Sequence, residues 1–206
     1  MTFPNKKFTS PSDYVEAYFE QHLKAVSSVN SQKVAEAVSI LKKLYESTGT
    51  LYVCGNGGSA AISNHLACDH GKLLATDTDL LPHVHSLATN IEVITAIAND
   101  ITFDEIFVHQ LRLLAKTGDV VMTISSSGDS ENVVRAASWA IENGLELIAL
   151  TGFDGGRTAK LATVNLHVEG NNYGIIEDIH QSLMHLMGQF LRHAQMSEDL
   201  IQKRRF

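Results

Sequence analysis

The spacing of apolar residues changes once along the chain, near residue 48. Before that point, over residues 12–47, apolar side chains recur at intervals of three and four, which is typical of amphipathic helices. The segment from Ser28 to Ser31 interrupts this pattern with residues that cap helices well. The pattern therefore predicts an N-terminal helical hairpin over about residues 12–47.

From about residue 48 onward, short apolar runs end in glycine or serine and are followed by helical patterns. Apolar runs without alternation are typical of strands buried on both faces, as in a parallel sheet covered by helices. The sequence predicts one α/β domain over residues 1–206, a three-layer αβα sandwich around a five-stranded parallel sheet. The predicted strands are 51–54, 84–88, 120–124, 145–150 and 164–168, and the predicted helices are about 59–73, 91–98, 103–116, 130–143, 155–161 and 173–195.

The hairpin needs an apolar partner, because isolated helices of about 15 residues are only marginally stable. It can cover one face of its own sheet, or it can pack with copies from other subunits as a bundle. The sequence leaves both arrangements open.

Composition and charge exclude several classes of protein and partner. The chain has 206 residues, of which 44% are hydrophobic and 19% charged, so a mainly disordered protein is excluded. A net charge of −7 disfavours nucleic acid as a partner. The sequence has neither a membrane-spanning apolar run nor a signal-peptide core, and Cys54 and Cys68 form no CxxC pair. We therefore expect no membrane partner and a cytoplasmic location.

Two loops have the composition of a phosphate-binding site. The glycine loop (residues 54–59, CGNGGS) and the serine loop (residues 125–130, SSSGDS) each connect a predicted strand to a predicted helix. Ligands bind at the carboxyl ends of parallel strands, where backbone N–H groups and helix N-termini attract anions. Each loop alone could be a plain helix cap, but together they favour a small molecule that bears a phosphate. Neither loop has the GxGxxG or P-loop pattern, which argues against a dinucleotide or a nucleoside triphosphate.

Histidines and carboxylates at four-residue spacing suggest a metal site. His65 and Asp69 lie four apart on one predicted helix, and Glu177, Gln181 and His185 follow the same spacing on the last one. Imidazole and carboxylate ligands at this spacing suit zinc or a similar divalent ion. The alternative is that each pair is an ordinary solvent-exposed surface pair with no metal. The metal site requires that the fold bring the two helices together.

Five motifs follow one another along the chain: CGNGGSAA with His65 behind it, TAIAND at residues 95–100, ISSSGDS, LTGFDGG and EDIHQSLMH at residues 177–185. Together they resemble the sugar isomerase (SIS) domain family, and within it the phosphoheptose isomerases. The resemblance implies a flavodoxin-like fold, a phosphosugar substrate and one zinc ion per subunit. It also implies a homotetramer with its active site at the subunit interface.

The resemblance also assigns roles to individual positions. The implied substrate-binding residues are Asn56, Gly57, Gly58, Ser59, Asn99, Asp100, Ser125, Ser126, Ser127 and Ser130. The implied zinc ligands are His65, Asp69, Glu177 and His185. The catalytic residues are expected among Asp69, Glu177 and His185, with Glu177 or Asp69 as the base and His185 as the partner acid.

Three positions depart from the phosphoheptose isomerase pattern. Asp69 stands where the family has a glutamate, Glu177 where it has a glutamine, and Gly174 where it has an acidic residue. Aspartate is one methylene shorter, so its carboxylate lies about 1.5 Å further back. A second carboxylate at Glu177 can compensate and would strengthen the binding of a divalent cation.

The leading hypothesis is an aldose–ketose isomerase that converts sedoheptulose 7-phosphate into D-glycero-D-manno-heptose 7-phosphate through an enediol, for lipopolysaccharide or capsule synthesis. An isomerase for a different sugar phosphate is one alternative. A non-catalytic tetrameric scaffold that binds the bacterial replication initiator is another, although that branch of the family lacks a carboxylate at the position of Asp69. A phosphosugar sensor is disfavoured because the sequence shows no DNA-binding domain.

Overall fold

The N-terminal hairpin forms as predicted. In the computed structural model, which describes residues 2–206, helix α1 spans Pro11–Ser27 and α2 spans Ser31–Tyr45. The side chain of Asn30 accepts hydrogen bonds from the first backbone N–H groups of α2, so the predicted capping segment does separate the two helices.

The sheet has five strands, all parallel, in the order β2-β1-β3-β4-β5. The chain moves outward from β1 to β2, then returns to place β3 on the other side of β1. The order therefore reverses between β1 and β3, which makes the crevice between them the topological switch point of the sheet. The strands are β1 Thr50–Cys54, β2 His83–Ser86, β3 Val120–Ser125, β4 Glu146–Thr151 and β5 Val164–His167.

Helices cover both faces of the sheet, which confirms the predicted three-layer sandwich. One apolar core lies between the sheet and α1, α2, α3 and α8, and a second lies between the opposite face and α4 to α7. Side chains of β1 alternate between them, with Val53 in the first core and Tyr52 in the second. The remaining helices are α3 Gly58–Cys68, α4 Ile91–Asp100, α5 Val108–Leu114, α6 Glu131–Glu142, α7 Gly156–Leu161, α8 Tyr173–His193 and α9 Glu198–Lys203.

The helix predicted over residues 59–73 changes type at its end. It is α-helical only to Cys68 and continues as one π-helical turn over Asp69–Leu73. The side chain of His70 explains the wider turn, because it is fully buried with its Nδ1 2.7 Å from the Tyr45 hydroxyl and its Nε2 3.2 Å from the Met184 carbonyl. These contacts hold the turn that contains Asp69 against α2 and α8.

Two further boundaries differ from the predictions. The helix predicted over 103–116 is split into a 3₁₀ turn at Phe103–Glu105 and helix α5. The side chain of Thr102 accepts a hydrogen bond from the backbone N–H of Asp104 and so starts the separate turn. Helix α9 was not predicted. Across residues 2–206, none of the helices combines the length and the apolar character that crossing a bilayer requires.

The hairpin covers its own sheet and still leaves apolar surface exposed. Ala25 of α1 and Leu41 of α2 are buried in the first core. On the outer side of α1, large apolar side chains recur at helical spacing and are exposed; these are Val15, Phe19, Leu23 and Val26.

Candidate active site

The glycine loop and the serine loop meet at the switch point of the sheet. They follow β1 and β3, the two strands between which the order reverses. A reciprocal pair of amides joins them: Asn56 Nδ2 donates to Asn132 Oδ1, and Asn132 Nδ2 donates to Asn56 Oδ1, both at 2.9 Å. Helix α3 begins at Gly58 within the glycine loop, and α6 begins directly after the serine loop, so the free N–H groups of both helices lie at this edge of the sheet.

A small cavity of about 120 Å³ lies between the loops. The buried hydroxyl of Ser126 has no hydrogen-bond partner within residues 2–206, so it is available to a ligand. An anion in this cavity would meet several hydroxyl donors and would need no lysine or arginine. The cavity is lined by Asn56, Ser59, Ile124, Ser125, Ser126, Ser127, Ser130, Tyr173 and Glu177.

The carboxylate of Glu177 forms one wall of this cavity, against the start of α3. It approaches Gly58 so closely that a Cβ at this position would collide with the carboxylate oxygens. Gly57, just before it, has a positive φ of 56°, which favours glycine. Burial, and secondarily the charge of Asp178, raises the pKa of Glu177. The absence of a side chain at Gly58 therefore gives Glu177 room within the cavity, and Gly57 permits the backbone turn before it.

The fold brings the two predicted metal-binding helices together. The metal group, defined as His65, Asp69 and His185, offers three ligand atoms within 4.8 Å of one another. Nε2 of His65 lies 3.4 Å from Asp69 Oδ1, and Nε2 of His185 lies 3.4 Å from Asp69 Oδ2. In a tetrahedral zinc site, bonds of about 2.0–2.1 Å set neighbouring donor atoms about 3.3 Å apart. Each histidine–aspartate separation in the metal group is therefore close to that of neighbouring donors in such a site.

The amide of Gln181 contacts both histidines of the metal group. Its Nε2 lies 2.9 Å from His65 Nδ1 and 3.1 Å from His185 Nε2. Gln181 also links the two parts of the site, because Glu177, Gln181 and His185 follow one face of α8 at four-residue intervals. At 1.5 Å rise per residue, the backbones of Glu177 and His185 are about 12 Å apart along the helix axis.

Two sets of predicted residues lie elsewhere. The carboxylate of Glu177 does not belong to the metal group, although the resemblance implied it as a ligand. Asn99 and Asp100, at the end of α4, are exposed, hydrogen-bond to each other at 2.8 Å and do not line the cavity.

Two site residues received no role from the sequence. Gln181 had a usable signal, its spacing from Glu177 and His185. Tyr173 lines the cavity and packs edge-on against Phe153 with ring centroids 4.7 Å apart. No local pattern marks it, since it simply begins α8.

Comparison with known proteins places this site in a family. The model of the SIS domain matches residues 13–152, which include both loops and two of the three metal-group residues, His65 and Asp69. The chain belongs to the SIS domain family. This SIS protein is 37% identical to phosphoheptose isomerase from Nitratidesulfovibrio vulgaris over 158 residues, covering 77% of this chain and 76% of the relative. It is 35% identical to a probable phosphoheptose isomerase from Thermoplasma volcanium over 181 residues, covering 88% and 90%.

Solved structures agree with the sequence relatives. The SIS protein superposes on phosphoheptose isomerase from Neisseria gonorrhoeae with a TM-score of 0.81 at 32% identity, covering 88% of this chain and 98% of that structure. These similarities confirm the predicted family, its phosphoheptose isomerase branch and the prediction of an enzyme of the phosphosugar isomerase class.

Proposed function

We propose that the protein interconverts sedoheptulose 7-phosphate and D-glycero-D-manno-heptose 7-phosphate. The observation that supports this most directly is the shared cavity: the hydroxyls of the serine loop and the carboxylate of Glu177 face the same space. One bound sugar phosphate could therefore contact both the hydroxyls that anchor its phosphate and the carboxylate that transfers a proton. The names of the curated relatives point to the same substrate class.

The serine loop anchors the phosphate. Ser126 offers an unpartnered buried hydroxyl, and Ser127 and Ser130 line the same cavity. The N-terminus of α6 adds backbone N–H groups and a partial positive charge. Fixing the phosphate places the distal carbons of the sugar, C1 and C2, at a defined distance from it.

Glu177 is the base that moves the proton between C1 and C2. Its carboxylate lies in the cavity, whereas that of Asp69 lies between two imidazoles. Its raised pKa makes it a stronger proton acceptor than an ordinary glutamate. His185 was expected from the sequence as the partner acid; because its Nε2 lies 3.4 Å from Asp69 Oδ2 in the metal group, we assign it to the ion instead. The enediol thus forms with the proton held by the Glu177 side chain.

The metal group fits a divalent ion, and we propose zinc, one per subunit. Two imidazoles and a carboxylate are a ligand set that catalytic zinc sites use. His65, Asp69 and His185 would hold the ion, which when bound would polarise the sugar carbonyl and stabilise negative charge on its oxygen.

We also propose a homotetramer with its active site at the subunit interface, in the cytoplasm. The exposed apolar stripe of α1 is surface that a helix from another subunit would bury. Asn99 and Asp100 are exposed and so are available to a substrate held between subunits. Both Cys54 and Cys68 are free thiols, which suits a reducing compartment.

Steady-state turnover of sedoheptulose 7-phosphate tests the proposal. Replacing Ser127 and Ser130 together by alanine should raise KM at least about tenfold, because hydrogen bonds to a charged group contribute about 1.5–3 kcal/mol each. Ser138→Ala, a serine on α6 outside the cavity, is the matched control and should leave KM unchanged. Glu177→Gln should lower kcat about 10²- to 10⁴-fold.

Three results would contradict the proposal. An unchanged KM in the double serine variant would refute the phosphate anchor. Turnover of another sugar phosphate in preference would keep the isomerase and change the substrate. No turnover of any sugar phosphate, together with binding of the bacterial replication initiator, would favour the scaffold.

A further inference from the structure

A tyrosine stands at the mouth of the cavity between the glycine loop and the serine loop. Tyr173 lines that cavity, and of all its lining residues it is the most exposed, at 61%. A ligand that is anchored by the serine loop and extends towards solvent therefore passes this ring. We infer that the Tyr173 ring packs against the carbon atoms next to the phosphate and so selects sugar phosphates over inorganic phosphate. The inference rests on the phosphate anchor of the proposed function, but neither on the isomerisation nor on the metal.

The start of α8 presents Tyr173 on the same helix face as Glu177. Residues four apart are neighbours on a helix surface, and both of these side chains line the cavity. Within the described first turn of α8, Tyr173 is the one residue that lines it. A Cβ on the adjacent Gly174 would instead meet the Tyr18 hydroxyl and the Asn172 side chain, each at 3.3 Å. The first turn of α8 therefore offers the Tyr173 side chain to a ligand.

Phe153, in the loop after β4, supports the Tyr173 ring from one side. The two rings pack edge-on, with centroids 4.7 Å apart and an interplanar angle of 65°. This is one of the attractive geometries of an aromatic pair. Because the partner ring restricts the rotamers of Tyr173, less side-chain entropy is lost when a ligand binds.

The ring of Phe153 stands at a backbone position that favours glycine. Its φ is 44°, in the left-handed region, and such strain persists only where the surroundings fix the backbone. The N–H of Gly152 donates to the Ser126 carbonyl at 2.8 Å, and the N–H of Phe153 donates to the Gly170 carbonyl at 3.2 Å. The backbone that carries Phe153 is thus tied directly to the serine loop, so the aromatic pair and the phosphate anchor are held in one arrangement.

An aromatic ring suits the carbon chain of a sugar and not its phosphate. The face of the ring carries partial negative charge, so it attracts C–H groups and repels an anion. The hydroxyls of the serine loop have the opposite preference, because they donate hydrogen bonds to an anion. The two parts of the cavity therefore recognise two different parts of one sugar phosphate.

Binding of two small phosphate compounds tests the inference without turnover. Inorganic phosphate occupies the anchor alone, whereas glycerol 3-phosphate adds a short hydroxylated carbon chain and has no carbonyl to isomerise. The Kd of each for the full-length protein is measured by phosphorus NMR. Tyr173→Ala should weaken the binding of glycerol 3-phosphate about tenfold, which corresponds to about 1.4 kcal/mol, and should leave that of inorganic phosphate unchanged. Phe190→Ala, a similarly exposed aromatic residue near the other end of α8, is the matched control and should change neither Kd.

Two further variants separate the ring from the hydroxyl and from the anchor. Tyr173→Phe keeps the ring and should keep the preference for glycerol 3-phosphate; a loss as large as in Tyr173→Ala would overturn the ring contact. Replacing Ser127 and Ser130 together by alanine should weaken both ligands by the same factor, because it removes the anchor that they share.

The inference is wrong if Tyr173→Ala weakens both ligands equally, since the ring would then act through the serine loop, or if it weakens neither. It is also wrong if the unmodified protein does not prefer glycerol 3-phosphate to inorganic phosphate. Turnover is scored separately. Selective loss of glycerol 3-phosphate in Tyr173→Ala, in a protein that converts no heptose phosphate, would refute the proposed function and support the ring contact.

Discussion

The amide pair between Asn56 and Asn132 is the contact that joins the two ligand-binding loops. Its two reciprocal hydrogen bonds are both 2.9 Å long, and Asn132 is only 2% exposed. A neutral hydrogen bond contributes about 0.5–1.5 kcal/mol net, so the pair should contribute about 2 kcal/mol of coupling. That coupling is a large part of a typical stability of about 5–15 kcal/mol.

A double-mutant cycle measures this coupling directly. Asn56→Ala, Asn132→Ala and the double variant are unfolded in urea at one fixed protein concentration. Each single change should cost about 2–3 kcal/mol, because it removes both bonds and leaves the other amide partly unsatisfied. The double variant should cost about 2 kcal/mol less than the sum of the two singles.

A control cycle tests whether the coupling is specific to this pair, and steady-state kinetics test whether it matters for substrate binding. Asn143, at the far end of α6, hydrogen-bonds only within its own helix, so a cycle of Asn56→Ala with Asn143→Ala should be additive. Asn132→Ala should also raise KM for the phosphosugar, although Asn132 does not line the cavity. A coupling energy below about 0.5 kcal/mol, within the usual error of additivity, would mean that the strands alone hold the loops in place.

Two further predictions concern buried groups near the site. Burial lowers the pKa of His180 to about 4, so the folded protein keeps it neutral while the unfolded chain protonates it below about pH 6.5. Stability should therefore fall as the pH drops from 6.5 towards 4, by about 2 kcal/mol at pH 5 from this residue. His180→Gln should lose that part of the pH dependence in urea unfolding at pH 7.5 and 5, and an unchanged dependence would contradict the assignment. Gly128 has a φ of 62°, and a Cβ there would collide with the Gly155 carbonyl, so Gly128→Ala should lower Tm and raise KM. Gly144 has a similar φ of 72°, but a Cβ there would meet no neighbouring atom. Gly144→Ala should therefore lose only about 1 kcal/mol of stability through backbone strain. Equal losses of stability in the two variants would contradict the predicted collision at Gly128.

The order of helices and strands could be read from the sequence because it depends on local physics. Apolar periodicity distinguishes helix from buried strand within a window of a few residues. Glycines and serines after apolar runs marked the strand ends, and a parallel sheet gathers those ends at one edge. The cavity between the glycine loop and the serine loop was therefore predictable, including its residues Ser126 and Ser127. The family resemblance supplied the substrate class.

Only the tertiary structure decided which side chains meet. The π turn at Asp69 depends on the contact of His70 with Tyr45, 25 positions earlier, and no local pattern encodes that contact. The packing of α3 on α8 brings Gln181 to His65 across 116 positions. The same packing puts Glu177 into the cavity instead of the metal group. Spacing fixes which residues share a helix face, whereas the rotation and the height at which two faces meet depend on the packing of the whole core.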